Sequence, residues 1–171
     1  MIKSLEWTED FQNQMLCVGI HGRLLPSDIF TLIALNNGGV IVNLIPTLND
    51  FNPEMLQIVS ERYQNENIKF VQLWEDVWIT KYLQIVARLK SFCGLNTKLH
   101  GRKTTLCRIK KPIAQDFLVK NHLQGFASTR FNYGLYVDQE VVSVASFSSL
   151  RKMNHSSNYF SAELVRFAVK Q

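Results

Sequence analysis

Two apolar runs flank a glycine turn early in the chain. Pro26-Ser27-Asp28 opens the first, Ile29-Phe30-Thr31-Leu32-Ile33-Ala34-Leu35, and the second is Val40-Ile41-Val42-Asn43-Leu44-Ile45, closed by Pro46. Between them lies Asn36-Asn37-Gly38-Gly39. An Asn-Gly step between apolar runs predicts a hairpin, because a tight turn needs left-handed backbone that Asn and Gly tolerate. Both runs are apolar almost throughout, which predicts strands buried on both faces.

The pattern then changes period. Asn52-Pro53-Glu54 reads as a helix cap followed by proline in the first turn, and Met55, Leu56, Val59 and Tyr63 share one helical face. Asn65-Glu66-Asn67 breaks that helix near Tyr63. A third strand is predicted over Ile68 to Trp74, ending in Glu75 and Asp76. These acids are placed to cap the helix behind them, Trp78 to Phe92, whose stripe is Trp78, Tyr82, Leu83, Val86, Leu89 and Phe92. Lys81, Arg88 and Lys90 fall off the stripe, and Gly94 terminates the helix. At the N-terminus Thr8 reads as the cap of a short helix stopped by Gly19 and Gly22, with His21 in a loop in a surface or packing role. Residues 1–95 are thus predicted as one unit: helix, hairpin, helix, strand, helix.

Residues 96–103, with His100-Gly101-Arg102-Lys103, form a basic linker on this reading. Beyond it come a strand from Thr104 to Ile109 and a helix from Ile113 to Asn121 after Pro112, with Ile113, Phe117 and Leu118 inward. His122-Leu123-Gln124-Gly125 ends the helix. Phe131 to Val137 and Glu140 to Phe147 form a hairpin about Asp138-Gln139, and Tyr159 to Val169 is a last strand. Residues 104–171 make a second unit. The fold class is α/β in the broad sense (α+β): a small α/β unit, then a mixed sheet with a flanking helix.

Composition narrows the class. Hydrophobic residues make up 46% of the 171, enough for a real core and too many for a disordered chain. No apolar run approaches the ~20 residues of a membrane span. Met1-Ile2-Lys3-Ser4-Leu5-Glu6 lacks a signal-peptide apolar segment, so a cytoplasmic protein is expected. Cys17, Cys93 and Cys107 are odd in number, far apart and without a CxxC pair, which argues against a zinc site or a disulfide framework. They are expected to be reduced and mostly buried.

Charge changes the picture most. Lys81 to Arg130 holds eleven Lys/Arg against Asp116 alone, a net +10, while the rest of the chain holds eight Lys/Arg against thirteen acids, a net −5. Such asymmetry points to a polyanionic partner, first of all a phosphate backbone. Lys98, Arg102, Lys103, Arg108, Lys110, Lys111, Arg130 and Arg151 are the candidate nucleic-acid contacts.

Several motifs carry a family resemblance. Ile68 through Trp78, containing Trp74-Glu75-Asp76-Val77-Trp78, with the helix reaching Arg88-Leu89-Lys90 and Gly94, resembles the tail of the nuclease fold in very-short-patch-repair-like and phage homing-type endonucleases. Phe117 through Gly125, followed by Tyr133-Gly134-Leu135-Tyr136 and Glu163-Leu164-Val165-Arg166-Phe167, resembles a domain fused behind such nucleases. That domain looks like a relative of the acetyltransferase (GNAT-like) superfamily that includes phage Mom-type DNA modification proteins. The matching stretches cover residues 68–171, and their order in one chain is more telling than either alone.

The resemblance carries implications and departures. The nuclease fold needs an acidic pair for a metal ion, and its second position falls near Val42 to Ile45, where Asn43 is an amide. Asp28 stands as a surviving first acid, with Glu75 and Asp76 as weak oxygen donors, so no metal site is assigned and the nuclease half is expected to be degenerate. The acetyltransferase-like half holds coenzyme A on a glycine-rich turn and helix N-terminus after the strand matching Leu164 to Val169. The chain stops at Gln171, so no cofactor is expected in this form, and acetyl-CoA belongs to a longer one.

Two residues are placed in a catalytic role on this reading. His122, beside Gln124-Gly125 at a helix end, suits general acid–base work, with capping of the last helical carbonyls as the alternative. Glu163 and Arg166, three apart on a strand, point to opposite faces, which predicts one of them buried and paired. Arg130, Tyr133, Ser148 and Arg151 lie near hairpin ends where one cleft would gather them. Trp74, Trp78 and the phenylalanines are assigned to core rather than to base stacking. Three functions remain open: a DNA-associated protein of phage or mobile-element type, an acyltransferase-like modification enzyme, and a module whose basic face meets an acidic protein.

Overall fold

Asn36 and Gly38 turn the chain through positive φ angles of 49° and 84°, and the runs they join pair as antiparallel strands, Leu35 opposite Val40. The molecule is described from a computed structural model covering residues 2–36, 38–153 and 159–170, with side chains from Glu6 onward. No helix among these residues is long and apolar enough to cross a membrane. The chain divides into two compact units, Met1–Asn96 and Thr97–Gln171, and its content is mixed α and β throughout.

The first unit runs α1 (Ile2–Cys17), β1 (Gly22–Leu25), β2 (Thr31–Leu35), β3 (Val40–Ile45), α2 (Pro53–Asn65), β4 (Lys69–Trp74) and α3 (Glu75–Phe92). Its sheet has the order β1-β2-β3-β4, and β3 and β4 are parallel, joined through α2. The sheet is covered on both faces. On one, Leu32, Ala34 and Ile41 cluster with Tyr63 of α2 and Phe70, whose rings stack at 5.2 Å. On the other lies α1, and a Cβ at Gly22 would be in ordinary contact with its Gln12 Cγ at 3.9 Å but would crowd Ile33 Cγ2 of the neighbouring strand at 2.9 Å. All six residues of β3 are buried, as a central strand between two helical layers requires.

α1 is locked to α3 by aromatic and polar contacts. The Phe11 and Trp78 rings sit 5.1 Å apart, Trp78 Nε1–H donates to Asp10 Oδ2 at 2.9 Å, and Tyr82 O–H donates to Gln14 Oε1 at 2.7 Å. This explains why α1 begins well before Thr8. Trp7, Phe11 and Met15 are buried at four-residue spacing, so the stripe, not the local cap signal, sets the helix, and Thr8 lies inside it. β1, unmarked by any alternation, is an edge strand paired with β2. Next to it the His21 N–H donates to Asn36 Oδ1 while the His21 carbonyl accepts from the Asn36 N–H, which pins the turn.

α2 follows the expected cap, with Asn52 Oδ1 accepting the Met55 N–H at 2.8 Å. α3 departs from expectation twice. It starts at Glu75 rather than Trp78, so Glu75 and Asp76 occupy its first turn, and Trp74 is an N-cap with no side-chain hydrogen bond. Acids in the first turn still favour the helix through its dipole. Lys81 then leaves helical geometry (φ −131°, ψ 26°), although the buried stripe keeps its spacing across it, Trp78, Ile85, Val86 and Leu89. Ile85, seven residues after Trp78, shares that stripe and is buried, while Leu83, expected inward, lies five residues after Trp78, about 140° round the helix, and is 70% exposed.

The second unit runs β5 (Thr105–Arg108), α4 (Lys111–Asn121), β6 (Phe131–Val137), β7 (Glu140–Phe147), β8 (Arg151–Lys152), β9 (Phe160–Ser161) and β10 (Leu164–Val169). Residues 97–103 belong to it, with a 3-10 turn at Gly101–Lys103. The main sheet, β10-β7-β6-β5, is antiparallel throughout rather than mixed: a hairpin joins β6 to β7, α4 connects β5 to β6, and the β8–β9 ribbon lies between β7 and β10 in the chain. Asp138 and Gln139 both have positive φ, 46° and 69°, as a two-residue hairpin turn demands. The last expected strand is interrupted: β9 pairs with β8 as a separate ribbon, and β10 carries a register shift between Leu164 and Arg166. α4 lies on one face, where Ala114, Phe117 and Leu118 pack with Ile109, Val144 and Ala168. Ile113, expected inward, is exposed.

The cysteines also differ from expectation. All three are free thiols, but Cys17 and Cys107 are exposed at the end of α1 and on edge strand β5. Cys93, after α3, is half-buried, and that burial pushes its thiol pKa up.

Candidate nucleic-acid interface

The candidate phosphate contacts all fall in the second unit. This unit holds twelve Lys/Arg against Asp116, Asp138, Glu140 and Glu163, a net +8, and the first unit holds seven against ten, a net −3. Asp116 and Glu140 are taken up by Lys120 and Lys170. Lys98, Arg102, Lys103, Arg108, Lys110, Lys111, Arg130 and Arg151 are all exposed, and none forms an ion pair among the described residues.

Local structure places five of them. Arg102 and Lys103 ride the 3-10 turn, held by Thr104 Oγ1–H donating to the Gly101 carbonyl. Arg108 ends β5, with its guanidinium 5.4 Å from the centre of the Phe131 ring. Lys110 is the N-cap of α4 and Lys111 its first residue, and no acid stands in that first turn. Lys111 Nζ donates to Ser128 Oγ at 3.1 Å and lies 5.8 Å from the Phe126 ring centre. Cations beside a helix N-terminus face the positive end of its dipole, a cost of about 0.3–1 kcal/mol against the preferred acids. The arrangement concentrates positive potential where stability alone would place carboxylates.

Arg130, Tyr133, Ser148 and Glu163 gather at one end of the sheet. The Arg130 N–H donates to the Phe147 carbonyl, and the Tyr133 and Phe147 rings meet edge to face at 6.1 Å. Ser148 Oγ accepts the Glu163 N–H, and the Ser148 N–H donates to the Glu163 carbonyl. Arg151 stands apart on the β8–β9 ribbon. The burial expected for Glu163 or Arg166 takes another form. Glu163 precedes β10 and is exposed, so strand alternation does not govern it. Arg166 is half-buried and makes no ion pair: Nη1 donates to the Val165 carbonyl, and Nε is buried without a partner among the described residues.

His122 closes α4 by backbone and ring together. Its N–H donates to the Leu118 carbonyl, its carbonyl accepts the Gly125 N–H at 2.8 Å, and Nδ1 accepts the Gln124 N–H at 3.1 Å. That last bond ties the imidazole to the chain just after the helix.

The donor set for a metal does not form in the first unit. Asp28 is exposed in the bend between β1 and β2, and Glu75 Oε2 accepts the Thr47 N–H at 2.8 Å, tying α3 to the segment after β3. Asp76 is exposed. Asn43, at the position where the nuclease resemblance needs an acid, is fully buried between Leu32 and Gln72 in the sheet register. Neither Asn43 Oδ1 nor Nδ2 has a hydrogen-bond partner among the described residues. No three His, Cys, Asp or Glu side chains among those residues are grouped so as to hold a metal ion.

The aromatic assignment needs correction. Trp78 and Phe11 are core, but Trp74, Phe160 and Phe167 are exposed. Phe167 lies on the sheet face opposite α4, in the row Arg108–Tyr133–Ala145–Phe167. The alternation Phe131, Tyr133, Leu135 marks that face in the sequence, but nothing in the sequence tells which face a helix covers. Compared with family models, curated proteins and solved structures, the chain matches none of them, so the nuclease and acetyltransferase resemblance rests on its quoted motifs.

Proposed function

We propose that this is a DNA-associated protein that holds nucleic acid through the cations of its second unit, and that its nuclease-like half does not cleave. The observation that carries the reading is a set of eight exposed Lys and Arg side chains, unpaired with carboxylates among the described residues, on a unit of net charge +8. A surface of this kind lowers its own repulsion by taking up phosphates and releasing their counterions. The cations of the first unit support less: Arg88 and Lys69 both lie against the Phe92 ring, at 5.2 and 4.3 Å from its centre.

The test is binding of labelled duplex and single-stranded DNA at ~50 and ~200 mM salt. The comparison is with a Lys98→Ala, Arg102→Ala, Lys103→Ala, Arg108→Ala variant. Each lost phosphate contact lowers the slope of log K against log salt by about 0.9 on duplex. Loss of all four therefore flattens the slope by up to about 3.6. Addition of magnesium leaves the DNA intact on this reading. Absence of binding at ~50 mM salt overturns it, and a magnesium-dependent cut restores an active nuclease.

A further inference from the structure

We propose that the open face of the second sheet is a stacking platform for the bases of single-stranded nucleic acid. This deepens the reading above and rests on it. α4 is the helix of this unit among the described residues, and its buried side chains pack with Ile109, Val144 and Ala168 on one face of the sheet. The opposite face carries three registered rows. The central one is Arg108–Tyr133–Ala145–Phe167; beside it run Phe131–Phe147–Leu164 and Leu106–Leu135–Ser143–Val169. Its edges are open: Leu106 is 66%, Leu164 52%, Phe167 53% and Val169 51% exposed. Between those edges Phe131, Tyr133, Leu135, Ala145 and Phe147 are half-buried and Ser143 is buried, so the face is apolar across its width and most open at its edges.

Charge and shape commit the occupant. The three rows contain no Asp or Glu, and Arg108 stands within them, over Phe131. Arg130 precedes Phe131 at one end of the face, and Arg102 and Lys103 lead into β5 toward the other. Tyr133 and Phe167 are two strands apart, about 9–10 Å, with the small Ala145 between them. Aromatic rings on either side of a small residue, with guanidinium groups at the margin, suit flat bases joined by phosphates. Duplex DNA keeps its bases stacked on one another and offers no face to such rings, so the platform selects the single strand. A second copy of the chain would bring one +8 unit against another, which disfavours it as the occupant.

The experiment uses the full chain, a labelled ~20-nucleotide oligo-dT and a duplex of the same length. Phe167→Leu and Tyr133→Leu keep the apolar character and remove the ring. Both positions keep part of their surface in water, and thermal melting checks that each variant folds. The expected result is tighter binding of single strand than of duplex, weakened about 5- to 100-fold by either substitution. The salt slope stays that of the wild type, whereas the four-cation variant flattens it. Equal affinity for both DNA forms, or leucine variants that bind as the wild type does, overturns the platform and leaves the electrostatic reading standing. Loss of all binding at ~50 mM salt overturns both. Sedimentation that shows a dimer dissociated by Phe167→Leu overturns the platform in favour of self-association.

Discussion

The two units build four-stranded sheets from similar apolar strands and finish them differently. The first places helices on both faces of its sheet, buries all six residues of β3 and carries a net −3. The second has α4 on one face, leaves Phe167 and Leu106 in water on the other and carries a net +8. Apolar strand residues thus mean stability in one unit and available surface in the other. What separates the cases is the count of covering layers, not the residue types. The largest predicted effect tests this directly. Phe11→Ala, at a fully buried ring against Trp78, costs about 3–5 kcal/mol in denaturant unfolding. Phe167→Ala costs under about 1 kcal/mol, since half its surface is already in water. Equal losses would mean that the second sheet is covered after all.

Asn43 sharpens the comparison from inside the first unit. A fully buried amide without a partner among the described residues pays desolvation and recovers nothing, about 1–3 kcal/mol. Asn43→Leu is close in size and removes the polar atoms, so it is expected to raise the unfolding free energy by about 1–2 kcal/mol. Asn43→Asp, which buries a carboxylate in the same place, is expected to destabilise. A destabilised leucine variant would show that the amide is satisfied and that β3 is not uniformly apolar in effect.

Legibility followed the same division. Local signals were sufficient where one short segment holds its own explanation: the Asn36 to Gly39 turn, the Asn52 cap bonded to Met55, and the full extent of β3. They failed where a partner decides. α1 begins early because Trp7 meets the core, β1 is set by pairing with β2, and Leu83 of α3 faces water where Ile85 meets the core. The basic character of the candidate site was plain in the sequence. Its confinement to one unit was not, because Lys81, Arg88 and Lys90 belong to the first. The open face was hidden altogether, since Phe131, Tyr133 and Leu135 alternate as a half-buried strand does whichever side is covered.

The hairpin turns offer a smaller contrast. The first unit uses Asn36 and Gly38 at positive φ, residues suited to it, while the second uses Asp138 and Gln139. Gln139 at φ 69° is the strained choice. Gln139→Gly is expected to stabilise the protein by about 0.5–1 kcal/mol in thermal or denaturant unfolding, relief of strain exceeding the added freedom of the unfolded chain. A loss instead would mean that the Gln139 side chain holds the β6–β7 turn by a contact of its own.

The thiols give the finest discrimination, because they report covering residue by residue without changing the fold. Cys107 lies exposed on β5 at the edge of the second sheet, and Cys17 is exposed at the end of α1. Cys93 is half-buried after α3, and burial raises its pKa by penalising the thiolate. The thiolate is the form that iodoacetamide attacks, so a raised pKa lowers the reactive fraction at any pH below it. Cys93 is therefore expected to label last near pH 8 and to gain most as the pH is raised, by mass spectrometry of timed digests. A Cys93 that labels as fast as Cys107 would mean that the end of α3 opens to water. Prior binding of oligo-dT on the open face is expected to leave Cys107 labelling as before, since its row, Cys107–Gly134–Val144–Ala168, belongs to the face that α4 covers. Uniform slowing of all three would point to a change in the whole chain rather than to a ligand on one sheet.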